Sequence, residues 1–172
     1  AAPAASRGTC ALAAYPLCVR RSRLIDVRAR MANRNFPPEQ QVILWDVLQI
    51  EPQQWVRLRV LSVNASVRQA IRLGVDSGKG RIVRPGEQLR DIALLAEPDA
   101  EWDIEVASPN GVLSVYQKWE FSSPDGAHGW KSQGDYAGML VTRDGPRSEY
   151  HCNNGLLHDT FDKLVFSVEL LP

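Results

Sequence analysis

Apolar and polar residues alternate along most of the chain from Phe36 onward, with a period of two. A strand with one face in the core and one in water has this period, because successive side chains point to opposite sides of a sheet. The pattern therefore predicts a protein built mainly of β-strands. The apolar positions of the clearest runs are Val56, Leu58 and Val60; Val67, Ile71, Leu73 and Val75, in phase with Gln69; Trp102, Ile104 and Val106; Leu113, Val115, Trp119 and Phe121; Leu164, Phe166, Val168 and Leu170.

Turn-forming sequences separate these runs. Glycine and asparagine tolerate positive φ, and proline presets the first dihedral of a tight turn. Strands joined by such reversals are typical of an antiparallel sheet, so we predict a single all-β domain with an antiparallel β-sandwich fold. Residues 42–50 are apolar on both faces, which fits a buried strand or a helix. The predicted turns are Asp76-Ser77-Gly78, Arg84-Pro85-Gly86, residues 108–111, residues 123–126, Asp144-Gly145-Pro146 and Asn153-Asn154-Gly155.

The first thirty residues differ in composition from the rest of the chain. They are rich in alanine and arginine and contain one acidic residue, Asp26. They lack the uninterrupted apolar segment of a secretory signal. We therefore divide the chain into a basic extension, residues 1–30, and a β-domain, residues 31–172. A leader, an interaction arm and a passenger segment all fit the extension, and Met31 is a candidate start.

Charge and cysteine content exclude several classes of protein. Lys and Arg together number 20, and Asp and Glu together also number 20, so the formal net charge is zero. Nucleic acid is therefore not an expected partner. No apolar run could span a bilayer. We expect a soluble protein, cytoplasmic or non-classically secreted, that meets membranes only from the water side. Its odd number of cysteines, with no CxxC pair, argues against a disulfide scaffold or a zinc motif. The cysteines are Cys10, Cys18 and Cys152.

Candidate catalytic motifs are all incomplete. The segment from Gly74 to Gly80 lacks one residue of a P-loop and has no Ser or Thr after Lys79, so it fits a hairpin turn better. His151 and Cys152 are neighbours, and neighbours on a strand point to opposite faces. The histidines lack zinc-motif spacing. We predict a non-enzymatic protein with no catalytic residues, metal or cofactor.

Aromatic residues are the most unusual feature. The chain has five tryptophans, and the stretch from Tyr116 to Trp130 concentrates aromatics around a turn. Tryptophan and tyrosine combine an apolar body with a polar tip, which suits binding sites and membrane interfaces. The alternation places Trp119 and Phe121 in the core. It places the other set in water, including Tyr116, so Tyr116 and Trp130 are the candidates for a surface site. That other set is Ser114, Tyr116, Lys118 and Glu120.

Several segments, read in order, resemble the aegerolysins, a family of small β-sandwich proteins. The resemblance covers roughly residues 54–145. The chain departs from the family at Ser77, where the family carries Trp before its Gly-Lys pair, and the family's Cys-Gly-Arg segment is missing. The matching segments are Gln54-Trp55-Val56, Val63-Asn64, Gly78-Lys79, residues 82–89, Trp102-Asp103-Ile104, residues 108–111, Val115-Tyr116 through Trp119, then Pro124, Gly126 and Trp130, and finally Gly134 and Met139-Leu140-Val141.

The resemblance implies binding to a membrane lipid surface. Members of the family bind sphingolipid-containing membranes, and some act with a larger pore-forming partner. On the matching segments, Tyr116 and Trp130 would insert apolar rings into the interface, and Lys79 would pair with a phosphate. Two other functions stay open. One is a structural subunit of a larger assembly, such as a capsid or coat, with the Arg-rich start as an arm. The other is a carbohydrate-binding module that stacks sugars on tryptophan.

Overall fold

The computed structural model describes residues 30–75, 78–84, 86–132, 134–156 and 158–172. In these ranges nearly every regular element is a strand, and a short 3₁₀ turn, Pro38–Gln40, is the one helical element. The all-β prediction is confirmed. The strands are β1 Met31–Ala32, β2 Ile43–Gln49, β3 Gln53–Val63, β4 Gln69–Gly74, β5 Arg81–Arg84, β6 Glu87–Leu89, β7 Asp91–Leu95, β8 Glu101–Ala107, β9 Val112–Ser122, β10 His128–Lys131, β11 Tyr136–Asp144, β12 Arg147–Gly155 and β13 Leu164–Leu171.

The strands form one antiparallel sheet that nearly closes on itself. The order of neighbours is β6-β5-β8-β3-β13-β12-β11-β2-β9-β4-β7, with β1 added to β2 and β10 added to β9. Every pairing in the described ranges is antiparallel. The sheet curls so far that β7, at one end, approaches β5 near the other. The curl encloses the apolar faces of the strands.

The interior face follows the period-two pattern. Val56, Leu58 and Val60 of β3 are buried, and Trp55 on the opposite face is 50% exposed. The same alternation places Ile71 of β4 inside the sheet. Residues 42–50 contain strand β2, so the helical alternative for that segment is wrong.

Strand β9 is buried on both faces over its first half, which the alternation did not predict. Ser114 and Tyr116 were expected in water, but both are buried. The Ser114 hydroxyl donates to the Gly74 carbonyl at 2.9 Å. The Tyr116 ring stacks on Trp45 of β2, with centroids 4.6 Å apart. Neighbouring strands on both sides of β9 supply this cover, so the expectation of a wet face is wrong there.

Tight turns occur at several of the predicted sites. The Gly111 amide donates to the Ser108 carbonyl at 2.8 Å, and the Gly126 amide donates to the Ser123 carbonyl at 2.9 Å. Both glycines have positive φ, +65° and +86°. Gly145 also has positive φ, between β11 and β12. Two further predicted turns contain residues outside the described ranges, namely 76, 77 and 85.

The predicted turn at Asn153-Asn154-Gly155 is wrong. These residues continue β12 and pair with β11, Asn153 lying opposite Gly138. The Asn153 side chain explains the difference, because its Oδ1 accepts from the Gly138 amide at 2.8 Å and its Nδ2 donates to the Tyr136 carbonyl at 2.8 Å. Turn-forming residues therefore serve here to clamp two strands together.

The predicted extension, residues 1–30, lies outside the described ranges except for Arg30, and so do Cys10 and Cys18. Arg30 precedes β1 and contacts a buried carboxylate. Asp46 of β2 is fully buried and accepts hydrogen bonds from Arg30 Nε at 3.0 Å, from Arg143 at 2.9 Å and from the Tyr150 hydroxyl at 2.8 Å. One carboxylate thus joins β2, β11, β12 and the segment before β1. A buried charge is tolerated when paired and hydrogen-bonded in this way.

Replacing Asp46 by alanine is expected to lower the free energy of unfolding by about 2 to 3 kcal/mol, because the buried Tyr150 hydroxyl and two arginines lose their partner. Urea denaturation measures the change. The control is Asp103→Ala, which removes an exposed ion pair with Arg57. Solvent screens that pair, so the control should change stability little. Equal losses in the two variants would contradict a structural role for the Asp46 cluster.

Burial also sets a limit on stability at high pH. It raises the pKa of the Cys152 thiol well above its ordinary value of 9.0. Burial, and then the negative charge of Asp46, raise the pKa of the Tyr150 hydroxyl above 10.0. The unfolded chain therefore loses these protons at lower pH than the folded chain. The contribution of these two protonated groups to the free energy of unfolding is fully present below pH 9.0. It is lost as the pH rises toward their pKa values in the folded chain.

We expect the free energy of unfolding to fall as pH rises above about 9. Chemical denaturation at a series of pH values from 7 upward would measure it. In a Cys152→Ser variant the decline should begin at higher pH, where tyrosine titrates. A wild-type free energy of unfolding that does not change above about pH 9 would contradict the raised pKa values of Cys152 and Tyr150.

Candidate functional site

A groove of about 650 Å³ opens at one end of the curled sheet. It lies between the β9–β10 hairpin on one side and the facing ends of β11 and β12 on the other. Its lining combines aromatic rings, aliphatic side chains, charges and amides. The residues that line it are Ser66, Val67, Trp119, Glu120, Phe121, Ser122, Lys131, Gly134, Asp135, Tyr136, Asn154, Gly155 and Leu156.

The groove continues the interior face of β9 beyond the apolar core. By alternation, Val115, Gln117, Trp119 and Phe121 share one face of the strand. Val115 is fully buried, Trp119 is nearly so, and Phe121 is partly exposed. The prediction that Trp119 is buried is confirmed. The same face therefore passes gradually from core to groove wall.

Glycines make room for the Trp119 ring at the floor of the groove. A Cβ atom at Gly155 would lie 3.4 Å from Trp119 Cζ2 and 3.2 Å from the Ala137 Cβ. Gly155 also has a φ of +85°, which side-chain-bearing residues rarely adopt. The end of β12 therefore requires glycine for both space and conformation.

Charged side chains lie on both faces of the β9–β10 hairpin. On the groove face, the Lys131 ammonium sits 4.3 Å from the centroid of the Phe121 ring. On the other face, the Arg68 guanidinium lies 5.8 Å from the Trp130 ring and 3.8 Å from the Glu120 carboxylate. Trp130 is 37% exposed. The hairpin therefore presents an aromatic ring and a cation on each face.

The structure does not bring the three predicted site residues together. Trp130 is exposed, on β10 opposite Glu120. Tyr116 is buried under Trp45 and Arg72, so its expected surface position is wrong, and burial raises the pKa of its phenol. Lys79 is exposed in the connection between β4 and β5.

Distance along β9 separates two of these residues. The connection that carries Lys79 follows Gly74, which pairs with Ser114, whereas Trp130 pairs with Glu120. Between those two positions β9 runs for about 20 Å. Lys79 therefore belongs to the opposite end of the sheet from the groove. A binding role for any of the three stays a prediction.

Most of the groove residues were not identified from the sequence, among them Lys131, Tyr136 and Asn154. Lys131 pairs with Trp119 across the hairpin, and the turn at residues 123–126 could have supplied that register. Tyr136 and Asn154 come from distant segments, and no local pattern connects them to Trp119. Only the pairing of β11 with β12 and the curl of the sheet place them at the groove.

Histidine and cysteine form no catalytic arrangement in the described residues. His151 is partly exposed and contacts Glu149 Oε1 at 3.0 Å, whereas Cys152 is fully buried, so the two do point to opposite faces. His128 contacts the Ser122 hydroxyl at 2.8 Å. Within the same ranges there is no group of three or more His, Cys, Asp or Glu residues that could hold a metal.

Comparisons with known proteins returned no relative: no family model, no curated protein and no solved structure matches the chain. The resemblance to the aegerolysins therefore stays a prediction made from residues 54–145. In the part of the chain that the structure describes, no helix is both long enough and apolar enough to cross a membrane.

Gly155→Ala is expected to lower the free energy of unfolding by about 2 kcal/mol or more, because the new methyl group crowds Trp119 and Ala137 at positive φ. Gly126→Ala is the matched control. Its φ is +86° and nothing lies within 4 Å of its Cβ position, so only the conformational cost of about 1 kcal/mol should remain. Denaturant titration of both variants isolates the crowding term. Equal losses would mean that Gly155 does not shape the groove floor.

Proposed function

We propose that this protein binds the surface of lipid membranes with the end of the sheet that carries the groove. The observation that carries the proposal is the placement of exposed apolar side chains beside a groove of mixed polarity. Trp130 is 37% exposed and Leu156, on the groove lip, is 68% exposed. Trp130 lies on the outer face of the hairpin that bounds the groove. Single exposed apolar residues are common on protein surfaces, but two large ones at the same end of the sheet suit a binding surface.

The proposal includes a β-sandwich arrangement of the sheet. Strand β2 supports it by changing partner along its length. It pairs with β11 at Ile43 and with β9 from Asp46 onward. Two layers would result, one containing β6, β5, β8, β3, β13, β12 and β11, and the other containing β9, β4 and β7.

Trp130 has the properties of an interfacial anchor. Its ring projects from a four-residue strand at the edge of the sheet, beyond which the exposed turn at residues 123–126 extends. Arg68 covers one side of the ring and keeps a cation near the level of lipid phosphates. Indole rings favour the headgroup region because they combine apolar area with a polar edge.

Charges around the groove nearly balance. Arg68 and Lys131 face Glu120 and Asp135 at this end of the molecule. A polybasic surface would favour anionic lipids, but a balanced one favours neutral or zwitterionic headgroups. Apolar insertion and headgroup contacts would then carry the affinity. The proposal also includes a larger pore-forming partner protein, which the resemblance to the aegerolysins implies.

Co-sedimentation with vesicles of phosphatidylcholine, with and without sphingomyelin, tests the proposal. Trp130→Ala should bind vesicles about tenfold more weakly, because about 1.5 kcal/mol of apolar burial is lost. Trp55→Ala is the matched control. Trp55 is more exposed than Trp130, but it lies near the start of β3. The end of β3, at Val63, leads to Ser66 of the groove, and about 27 Å of strand separate Trp55 from Val63. The control should bind as the wild type does.

Two results would contradict the proposal. One is that folded wild-type protein sediments with no vesicle of either composition. The other is that the Trp130 and Trp55 variants lose binding equally. Thermal melting of both variants checks that folding is intact, and Leu156→Ser provides a second anchor variant at an exposed position.

A further inference from the structure

The Phe121 ring leans toward β10 because the residue opposite it is a glycine. Phe121 pairs with Gly129 across the β9–β10 hairpin. A Cβ atom at Gly129 would lie 3.1 Å from Phe121 Cε1, which is closer than an ordinary van der Waals contact. A larger residue at this position would therefore push the ring aside. Together with Trp119 and Tyr136, the ring gives the groove three aromatic side chains, which we call the aromatic wall.

Small residues leave part of the aromatic wall open to the groove. Cβ atoms at Gly155 and Gly134 would lie 3.4 Å and 4.0 Å from Trp119 Cζ2. Val67 and Leu156 add aliphatic side chains to the lining. The groove volume of about 650 Å³ falls within the range of about 300 to 1,000 Å³ that is typical of small-molecule sites. The lining therefore suits a ligand with a sizeable apolar body.

Lys131 places a positive charge against the aromatic wall. Its ammonium lies 4.3 Å from the centroid of the Phe121 ring. Among the described residues no carboxylate forms an ion pair with this ammonium. The Glu120 carboxylate lies 3.8 Å from Arg68, on the opposite face of the hairpin. An ammonium has three donors, and contact with one ring leaves donors for an anion.

We propose that the groove binds a long-chain fatty acid. The carboxylate pairs with the Lys131 ammonium, and the acyl chain packs on the rings of Trp119 and Phe121. A neutral apolar ligand would leave the Lys131 charge without an anion, and an amine would be repelled by it. This function goes beyond membrane binding, because a fatty acid dissolved in water would bind the same groove.

Calorimetric titration of the free protein tests the assignment with three probes of equal chain length, which are dodecanoate, dodecanol and dodecylammonium. Dodecanoate should bind about tenfold more tightly than dodecanol, because only the carboxylate forms a charge-assisted hydrogen bond with Lys131. Dodecylammonium should bind more weakly than dodecanol. Because Trp119 belongs to the aromatic wall, dodecanoate should also change the tryptophan fluorescence.

Variants of Lys131 identify the residue responsible. Lys131→Gln should weaken dodecanoate binding about tenfold and leave dodecanol binding unchanged. Lys131→Arg keeps the charge and should retain most of the affinity for dodecanoate. Lys118→Gln is the matched control, because it removes the same charge from the opposite face of β9, where Lys118 pairs with Ala70. Melting temperatures of the three variants check that each is folded.

Asp135 provides a change in the opposite direction. Its carboxylate belongs to the lining and repels an anionic ligand. Asp135→Asn should therefore strengthen dodecanoate binding about twofold or more and leave dodecanol binding unchanged. A variant that binds dodecanoate more weakly than the wild type would contradict the placement of the ligand carboxylate in this groove.

A second measurement distinguishes the source of the fatty acid. Phosphatidylcholine vesicles that lack or contain oleic acid are compared by co-sedimentation. An increase with oleic acid that Lys131→Gln abolishes supports a fatty acid taken from the membrane. Dodecanoate binding without such an increase supports a fatty acid taken from water.

The outcomes separate this inference from the membrane proposal. Vesicle binding by a protein that does not bind dodecanoate overturns the fatty-acid assignment and leaves membrane binding standing. Dodecanoate binding by a protein that sediments with no vesicle supports the fatty-acid assignment and overturns membrane binding. Equal affinity for dodecanoate and dodecanol, or equal losses in Lys131→Gln and Lys118→Gln, overturns the role of Lys131.

Discussion

The pairing of strand β9 is the constraint on which the rest of the structure depends. One edge of β9 pairs with β4, from Gln69 to Gly74. The other edge pairs first with β2 and then, after a gap, with β10. Every backbone group in a buried strand needs a partner, so this change of neighbour decides where the interior ends. Beyond β2, the inward face of β9 is no longer covered by apolar core, and the groove begins there.

Buried polar side chains hold the surrounding strands in register. Asp46 ties β2 to Arg143 of β11 and Tyr150 of β12. The Asn153 side chain of β12 accepts a hydrogen bond from the Gly138 amide of β11. The Gln117 side chain of β9 donates to the Gly138 carbonyl. A one-residue slip of any of these strands would leave several buried polar groups unpaired. The apolar core supplies most of the stabilisation, and these groups select one register for it.

The same end of the sheet concentrates polar groups and exposed aromatic area. This combination is unfavourable for an isolated core, because buried acceptors without donors reduce stability. Trp130 and Leu156, beside the groove, extend the surface outward. The residues that form the core and the residues that line the groove therefore belong to different parts of the same strands.

Much of the fold was readable from the sequence, because a strand's alternation is local. The inward positions of β3, β4 and β8 and the turns at residues 108–111 and 123–126 all follow from neighbouring residues. The pattern failed at Tyr116 because burial of its outer face depends on Trp45, a residue far away in the chain. It failed at Asn153 because side-chain hydrogen bonds to another strand outweighed turn propensity.

The candidate site was predictable only in part. The exposure of Trp130 was predicted, because an aromatic residue beside a turn is a local signal. Lys79 was grouped with Trp130 because both lie on segments that resemble the aegerolysins, although the structure places Lys79 at the other end of the sheet. The sequence by itself determined an antiparallel all-β protein and most of its inward-facing residues, since period and turn chemistry are local properties. Only the tertiary structure decided which residues share the groove, because that depends on which distant strands become neighbours when the sheet curls.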